Sequence, residues 1–381
     1  MGDQEHLTAR TLDAIGDIAP EAWDVCAGTD NPFVRHGFLS ACEESGSATA
    51  QSGWAARHLV IENDAGELLA AAPLYLKGHS QGEYVFDHGW AAAYERAGGR
   101  YYPKLQCAVP FTPVTGPRLL TRNDALRPAL AAALAEQAQR DGVSSLHVTF
   151  PTEADWQTLG KAGFLLRTDQ QFYWLNKGYQ SFDDFLADLS SRKRKAIRRE
   201  RREALHGDIT LEILDGGAIT EAHWDAFFAF YQDTGARKWG QPYLTRTFFS
   251  LIGERLAGHI VLILCRRGGR YIAGALNLLG GDTLYGRYWG AIEQHRFLHF
   301  EVCYYRAIDI AIARGLARVE AGAQGEHKLA RGYLPHLTHS AHWIADEGFR
   351  QAVARFLAHE RQHVAHEAAI LADYAPFKKG P

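Results

Sequence analysis

Two carboxylates, an amide, an imidazole and an amine fall close together in Glu320-Ala-Gly-Ala-Gln-Gly-Glu-His-Lys328, directly after a run that reads as a strand. Ligand sites of α/β units commonly lie on loops beyond the carboxyl ends of strands. Glu326 is therefore a candidate base, His327 a base with an ordinary pKa near neutrality, and Gln324 and Lys328 candidate polar contacts to substrate. A plain polar loop carrying a helix cap is the alternative.

A second group lies at Thr283-Leu-Tyr-Gly-Arg-Tyr-Trp-Gly290 and continues through a loop to His299 and Glu301. Gly286 and Gly290 let the backbone bulge or approach a ligand, and a helix start near His299 would offer N–H groups to an oxyanion or phosphate. Gly290 serves equally well as a simple turn. If the neighbouring strands lie side by side, His299 and Glu301 meet the 322–328 loop. The third group is Ser191-Arg-Lys-Arg-Lys-Ala-Ile-Arg-Arg-Glu-Arg-Arg202, a helix with cations on nearly every side. It suits phosphates of a cofactor or tRNA, or anionic lipid; a solvated surface helix is the alternative.

Other patterns carry less. His359-Glu-Arg-Gln-His363 matches the zinc-protease motif H-E-x-x-H, but no third ligand stands at a familiar spacing, so coincidence on a solvated helix is expected. His336, His339 and His342 enter a strand, where a spacing of three puts neighbours on opposite faces and disfavours a metal. Neither a P-loop nor a G-x-S-x-G elbow occurs.

The elements that must position these residues form two copies of one pattern. Residues 57–61, 68–76 and 84–86 read as a meander, followed by a helix over 124–140 and a strand over 146–150. The order recurs with strands over 259–265, 271–279 and 283–289, a helix over 300–314 and a strand over 317–321. Between the copies lie helical segments at 182–189 and 191–205, and a charged helix over 347–374 ends the chain. The expected fold is α/β (α+β): two tandem units, each a mixed, mainly antiparallel sheet flanked by helices, with domains at 1–178 and 208–381 joined by a basic connector at 179–207.

A length of 381 residues with 46% hydrophobic content supports sizeable cores, and a net charge of -3 makes no global case for nucleic acid or membrane binding. Five scattered cysteines without a C-x-x-C pair suggest a reducing compartment. No signal-like apolar stretch opens the chain, and the longest apolar run, 260–265, is too short to span a bilayer. A cytoplasmic protein is expected, with peripheral contact at the inner membrane open through the basic helix.

Taken together, the paired units and the segment from Phe185 to Arg198 resemble the FemABX aminoacyltransferases with their tandem GNAT-type fold. Leu284 to Gly290, Leu298 to Tyr305 and Gly322 to Gly332 are similar to the FemAB-like peptidoglycan biosynthesis/recognition group. The resemblance covers nearly the whole chain, from about Asn31 to Ala372. It implies an N-acyltransferase that moves an acyl or aminoacyl group by direct transfer, with acyl-CoA as co-substrate, no metal, and a small-molecule or lipid-linked amine as acceptor. Aminoacyl-tRNA as donor to a peptidoglycan precursor is one alternative, and the coiled-coil arm some family members carry between the halves is missing here. Acylation of a long-chain lipid amine, with aromatics at 227–231 and 101–111 lining a channel, is another. A non-catalytic module holding RNA or anionic lipid is the third.

An amine acceptor arrives mostly protonated at neutral pH and must lose a proton before attack. On this reading Glu326 and Glu301 are the leading bases, and His299 or His327 alternatives. Tyr304 or Tyr305 protonates the leaving group, and backbone N–H groups around Arg287, Tyr288 and Trp289 stabilise the oxyanion. Lys328 and Arg331, with Lys193, Arg194, Lys195 and Arg198, contact donor or acceptor phosphates.

Overall fold

The computed structural model describes residues 6–238, 242–322 and 326–378, without the side chains of Lys238, Glu326, Ala372 and Asp373. The chain packs as two compact units, Met1–Asp169 with Thr338–Val364, and Gln170–Leu337 with Ala365–Pro381. Boundaries drawn at 178 and 207 follow chain order. Packing instead puts the basic helix Ser191–Ala204 within the second unit, and residues 338–364 within the first.

The first unit holds a small antiparallel sheet, Thr8–Leu12, His58–Glu62, Leu68–Ala72 and Leu120–Thr121. Its second sheet runs in the order 338–344, Ser145–Thr149, Lys104–Cys107, Leu74–Lys77 and Trp54–Ala56. The strand expected over 68–76 is thus two strands in two sheets. Pro73, which has no N–H to give to a ladder, stands at the break between them. Residues 84–86 form no strand, and Tyr84 has φ +60°. Leu105, Leu146, Val148 and Ala341 face the helix Arg127–Arg140 in an apolar core.

In the second unit the order is Thr210–Asp215, Ile260–Arg267, Arg270–Gly280, Thr283–Ala291, Arg318–Glu320 and 170–175. All pairs are antiparallel except Thr283–Ala291 with Arg318–Glu320, so the mixed, mainly antiparallel sheet expected from the sequence is present. Gly268 and Gly269, with φ of +55° and +77°, make the tight turn that joins the first two long strands. Leu284, Val319 and Trp174 pack against Val302, Tyr305 and Ile308, forming the core on one face. On the other face the helix Glu221–Lys238 lies unusually close. Gly274 pairs with Gly290 there, and a Cβ on Gly290 would sit 2.2 Å from the carbonyl oxygen of Phe230. Gly290 is therefore neither a turn nor a ligand contact; it makes room for a helix. Phe227, Phe230, Tyr101 and Phe111 are buried in the cores.

Replacing Gly290 by Ala should accordingly destabilise the protein by about 1–3 kcal/mol, because backbone atoms must move. Gly258→Ala, where the added Cβ meets open space, serves as control. Chemical denaturation of both variants measures the difference.

Candidate active site in the second unit

Two one-residue irregularities shape the site. In the first, Leu276 pairs with Tyr288 but Asn277 pairs with Gly286, so Arg287 is an inserted residue and the strand bulges. The parallel partner Arg318–Glu320 follows this strand only from Thr283 to Tyr285. Beyond Glu320 the two strands part, and Gly286 stands at the parting, where a Cβ would lie 3.3 Å from the Glu320 carbonyl. In the second, the helix opens at Leu298–Phe300 behind Phe297 in the left-handed region (φ +62°) and then widens into a π turn, Glu301–Tyr305, before continuing as Arg306–Ala313. π turns inside helices are frequent at functional sites. Between the bulge and the π turn is a cavity of about 140 Å³ lined by Asn277, Arg287, Trp289, His299, Cys303 and Tyr304.

The structure gathers several of the residues singled out in the sequence. The Tyr304 hydroxyl lies 2.9 Å from His327 Nε2. His299 has its ring 5.3 Å from those of both Trp289 and Tyr304, and 6.3 Å from that of His327. Burial holds the Tyr304 hydroxyl well above the usual tyrosine range, so it stays protonated at neutral pH. Arg287 and Tyr288 line the same cavity, the guanidinium 5.1 Å from the Tyr288 ring. Lys328 is buried, and its ammonium donates to the Gly322 carbonyl at 2.8 Å. Desolvation depresses its pKa to about 7, opposed only by the Cys303 thiol. A contact of Lys328 with solvent-borne phosphate does not fit that burial.

Glu301 is held differently from the role expected of a base. It is fully buried, accepts from Arg201 at 3.1 and 3.2 Å, and lies 2.9 Å from Arg306 Nε. Arg201 also donates to Asp309 at 2.5 Å. Burial raises the Glu301 pKa, but its oxygens face guanidinium groups and not the cavity. Beside this cluster Glu200 accepts from Tyr305 and, at 2.8 Å, from Arg331, whose other nitrogen donates to the His327 carbonyl at 2.7 Å. Arg331 is thus a brace for the 326–331 turn, with its guanidinium 3.5 Å from the Phe300 ring centroid.

The basic helix has two faces. Glu200 and Arg201 point inward with Ile197, whereas Lys195 and Arg198 are exposed, Arg198 pairing with Asp183 at 2.9 Å. Lys193 and Arg194 are half-buried. Gln324 and the side chain of Glu326 lie outside the described residues.

One carboxylate was passed over. Glu320 ends the short parallel strand where the strands part, and it is buried. Desolvation pushes its pKa up to about 7 despite Arg318, 3.5 Å away, and the field of Arg287. Its cross-strand neighbour Tyr173 also acts to lower that pKa, through its hydroxyl. The sequence signal was available, since Glu320 opens the motif, but its burial was not. The zinc-protease pattern is occupied otherwise: Glu360 receives two bonds of 2.7 Å from Arg167. His342 is buried against His147 at 2.7 Å, and His336 and His339 stack on Tyr173 and Trp156. Among the described residues no group of three potential ligands suits a metal ion.

Comparison with known proteins gives one family match: the model for FemAB-like proteins, described as peptidoglycan biosynthesis/recognition, matches residues 14–379. Comparison with curated sequences gives no match. Among solved structures, FemX aligns at 15% identity and TM-score 0.53, covering 88% of this chain and 98% of its own. The C-terminal domain of a putative lysylphosphatidylglycerol synthetase from Agrobacterium fabrum aligns at 10% identity and TM-score 0.54, covering 89% and 95%. L-PGS from Bacillus licheniformis aligns at 8% identity and TM-score 0.52, covering 87% and 98%. At these identities the likeness is one of fold.

Removing Arg201 leaves a buried carboxylate with half of its counter-charge. Arg201→Met should cost about 3 kcal/mol in chemical denaturation, and the Arg201→Met/Glu301→Met pair should recover much of it. Lys328 supplies a pH test. Its folded pKa of about 7 lies below the unfolded value near 10.4, so between these the unfolded chain binds more protons and stability rises with pH. Lys328→Met should therefore gain most over the wild type near pH 7, with the gain shrinking toward pH 10 in denaturation series.

Proposed function

Because the chain belongs to the FemAB-like family, we propose that it is a transferase moving a small acyl group, in the first instance an aminoacyl group, from an activated donor to an amine acceptor. The observation that carries this reading is the cavity between bulge and π turn, lined by a guanidinium, an imidazole and a buried tyrosine whose hydroxyl meets a second imidazole, that of His327. At about 140 Å³ it is smaller than the roughly 300–1,000 Å³ of sites for drug-sized ligands, which suits an aminoacyl or short acyl unit and not a long chain.

In this mechanism the donor carbonyl sits against the bulge, and the developing oxyanion is met by the backbone around 287–289 and the Arg287 guanidinium. The acceptor nitrogen attacks that carbon. Its proton passes to His327 or His299, or across the parted strands to Glu320, whose pKa of about 7 matches the task. The bond to the donor oxygen or sulfur then breaks, and Tyr304, re-protonated through His327, hands a proton to the leaving group. Glu326 stands proposed beside these as a base, by its place in the motif.

An aminoacyl donor is favoured by what the aligned proteins are called: a lysylphosphatidylglycerol synthetase is named for an aminoacylated lipid, and the family description points to peptidoglycan. Exposed Lys195 and Arg198, with Lys193 and Arg194, are proposed to meet phosphates of the donor or an anionic membrane. Acyl-CoA transfer is the second reading, since the same cations would serve its phosphates. Among the described residues no helix is long and apolar enough to cross a membrane. A peripheral, cytoplasmic setting is part of the proposal.

The test offers aminoacyl-tRNA and short acyl-CoA separately, with an amine-bearing peptidoglycan precursor or lipid as acceptor. Transfer from the former alone supports the first reading, and from the latter alone the second. Tyr304→Phe with His327→Gln should lower turnover at least about 100-fold with folding intact by circular dichroism. Unaltered turnover in that pair overturns the site. Salt-sensitive RNA binding without any transfer would return the chain to a binding module.

A further inference from the structure

The first unit carries a cavity of its own that nothing above uses. Its volume is about 470 Å³, inside the roughly 300–1,000 Å³ range of small-ligand sites. Ala48, Ala55, Ala56 and Leu76 supply an apolar wall, and Asp13, Glu43 and Arg57 supply charge. A small side chain keeps the space open: Ala55 lies on the edge strand Trp54–Ala56 opposite Leu76, and a larger residue there would enter it.

Glu43 is the prepared group. One of its oxygens accepts from His58 Nε2 at 2.7 Å and the other from the Ile15 backbone N–H at 2.9 Å. His58 is fully buried, its ring packed edge-on against Trp23 and Tyr75 at 5.6 and 5.0 Å. The imidazole is thus locked by packing and in turn locks the carboxylate, the support that binding sites need to hold a polar group in place. The carboxylate keeps only 12% of its side chain exposed, and what is exposed faces the cavity.

The charge balance selects the ligand. Arg57 is shared between Asp13 at 3.3 Å and Asp141 at 3.4 Å. Of the charged groups lining the cavity, Arg57 is thus already matched by Asp13 and by Asp141 beside it, so Glu43 adds a further negative charge and carboxylates outnumber the guanidinium. An anion is repelled, a neutral ligand leaves the excess negative charge unmatched, and a cation with an apolar body matches both wall and charge. We propose that this cavity binds a primary ammonium group carried on a short alkyl chain, with Glu43 as the ammonium acceptor and the alanine wall taking the chain. The site is independent of the transfer reaction and is read by binding.

The experiment uses the full chain and titrates hexylammonium, hexanol and hexanoate by calorimetry. Hexylammonium should bind at millimolar concentration or tighter, and the other two at least about tenfold more weakly, the difference one charge-assisted hydrogen bond makes. Ala55→Leu, which fills the cavity, should abolish binding, and Glu43→Gln should weaken it about tenfold. Should Glu43→Gln fail to fold, Asp13→Asn takes its place, with weaker binding and a shallower salt dependence expected. Absence of hexylammonium binding up to about 10 mM, equal affinity for hexanol, or full binding by Ala55→Leu would overturn the proposal.

Discussion

The second unit depends on a buried carboxylate. A π turn widens a helix by one residue and weakens its backbone ladder, so something outside the helix must hold it open. Glu301, at the start of that turn, is bound to Arg201 and Arg306, while Arg201 also reaches Asp309 about two helical turns later. Glu200, adjacent to Arg201 in sequence, ties Tyr305 at the far end of the turn and Arg331 in the loop that carries His327. One helix thus fixes both ends of the π turn and the loop facing it, and with them the spacing of Tyr304 to His327. Charges buried in this way cost desolvation that apolar packing would avoid. The geometry they impose on the cavity is a reason to keep them.

This reassigns the basic helix. Read as a surface, its cations are interchangeable and await a phosphate. In the fold, Arg201 is structural and inward, its guanidinium also 4.2 Å from the Phe182 ring centroid, while Lys195 and Arg198 remain outside. Three-dimensional context separates residues of the same type that lie three positions apart, Arg198 and Arg201.

The bulge and the π turn act together. An inserted Arg287 turns the strand out of register while the parallel partner ends at Glu320, and the inserted residue of the π turn brings Cys303 and Tyr304 toward the gap. Neither is visible as a break in periodicity, because each adds one residue to an element whose pattern is otherwise regular. The glycines hinted at irregularity but misassigned it: Gly286 stands at the parting of the strands, whereas Gly290 only clears Phe230. Likewise H-E-x-x-H shows a spacing, yet Arg167 had already taken its glutamate.

Hydrophobic alternation and turn residues were enough to read the second unit's strands, its turn at Gly268–Gly269 and the mixed sheets flanked by helices, because these follow from local periods and local backbone preferences. The clustering of His299, Tyr304 and His327 near one strand end was legible for the same reason, since elements adjacent in sequence are usually adjacent in space. Protonation and partnership were not. Lys328 and Glu320 owe their pKa values to burial, and Glu301 owes its occupation to Arg201, a residue 100 positions away. Charge in a protein is set by what surrounds it, and only the tertiary structure supplies the surroundings.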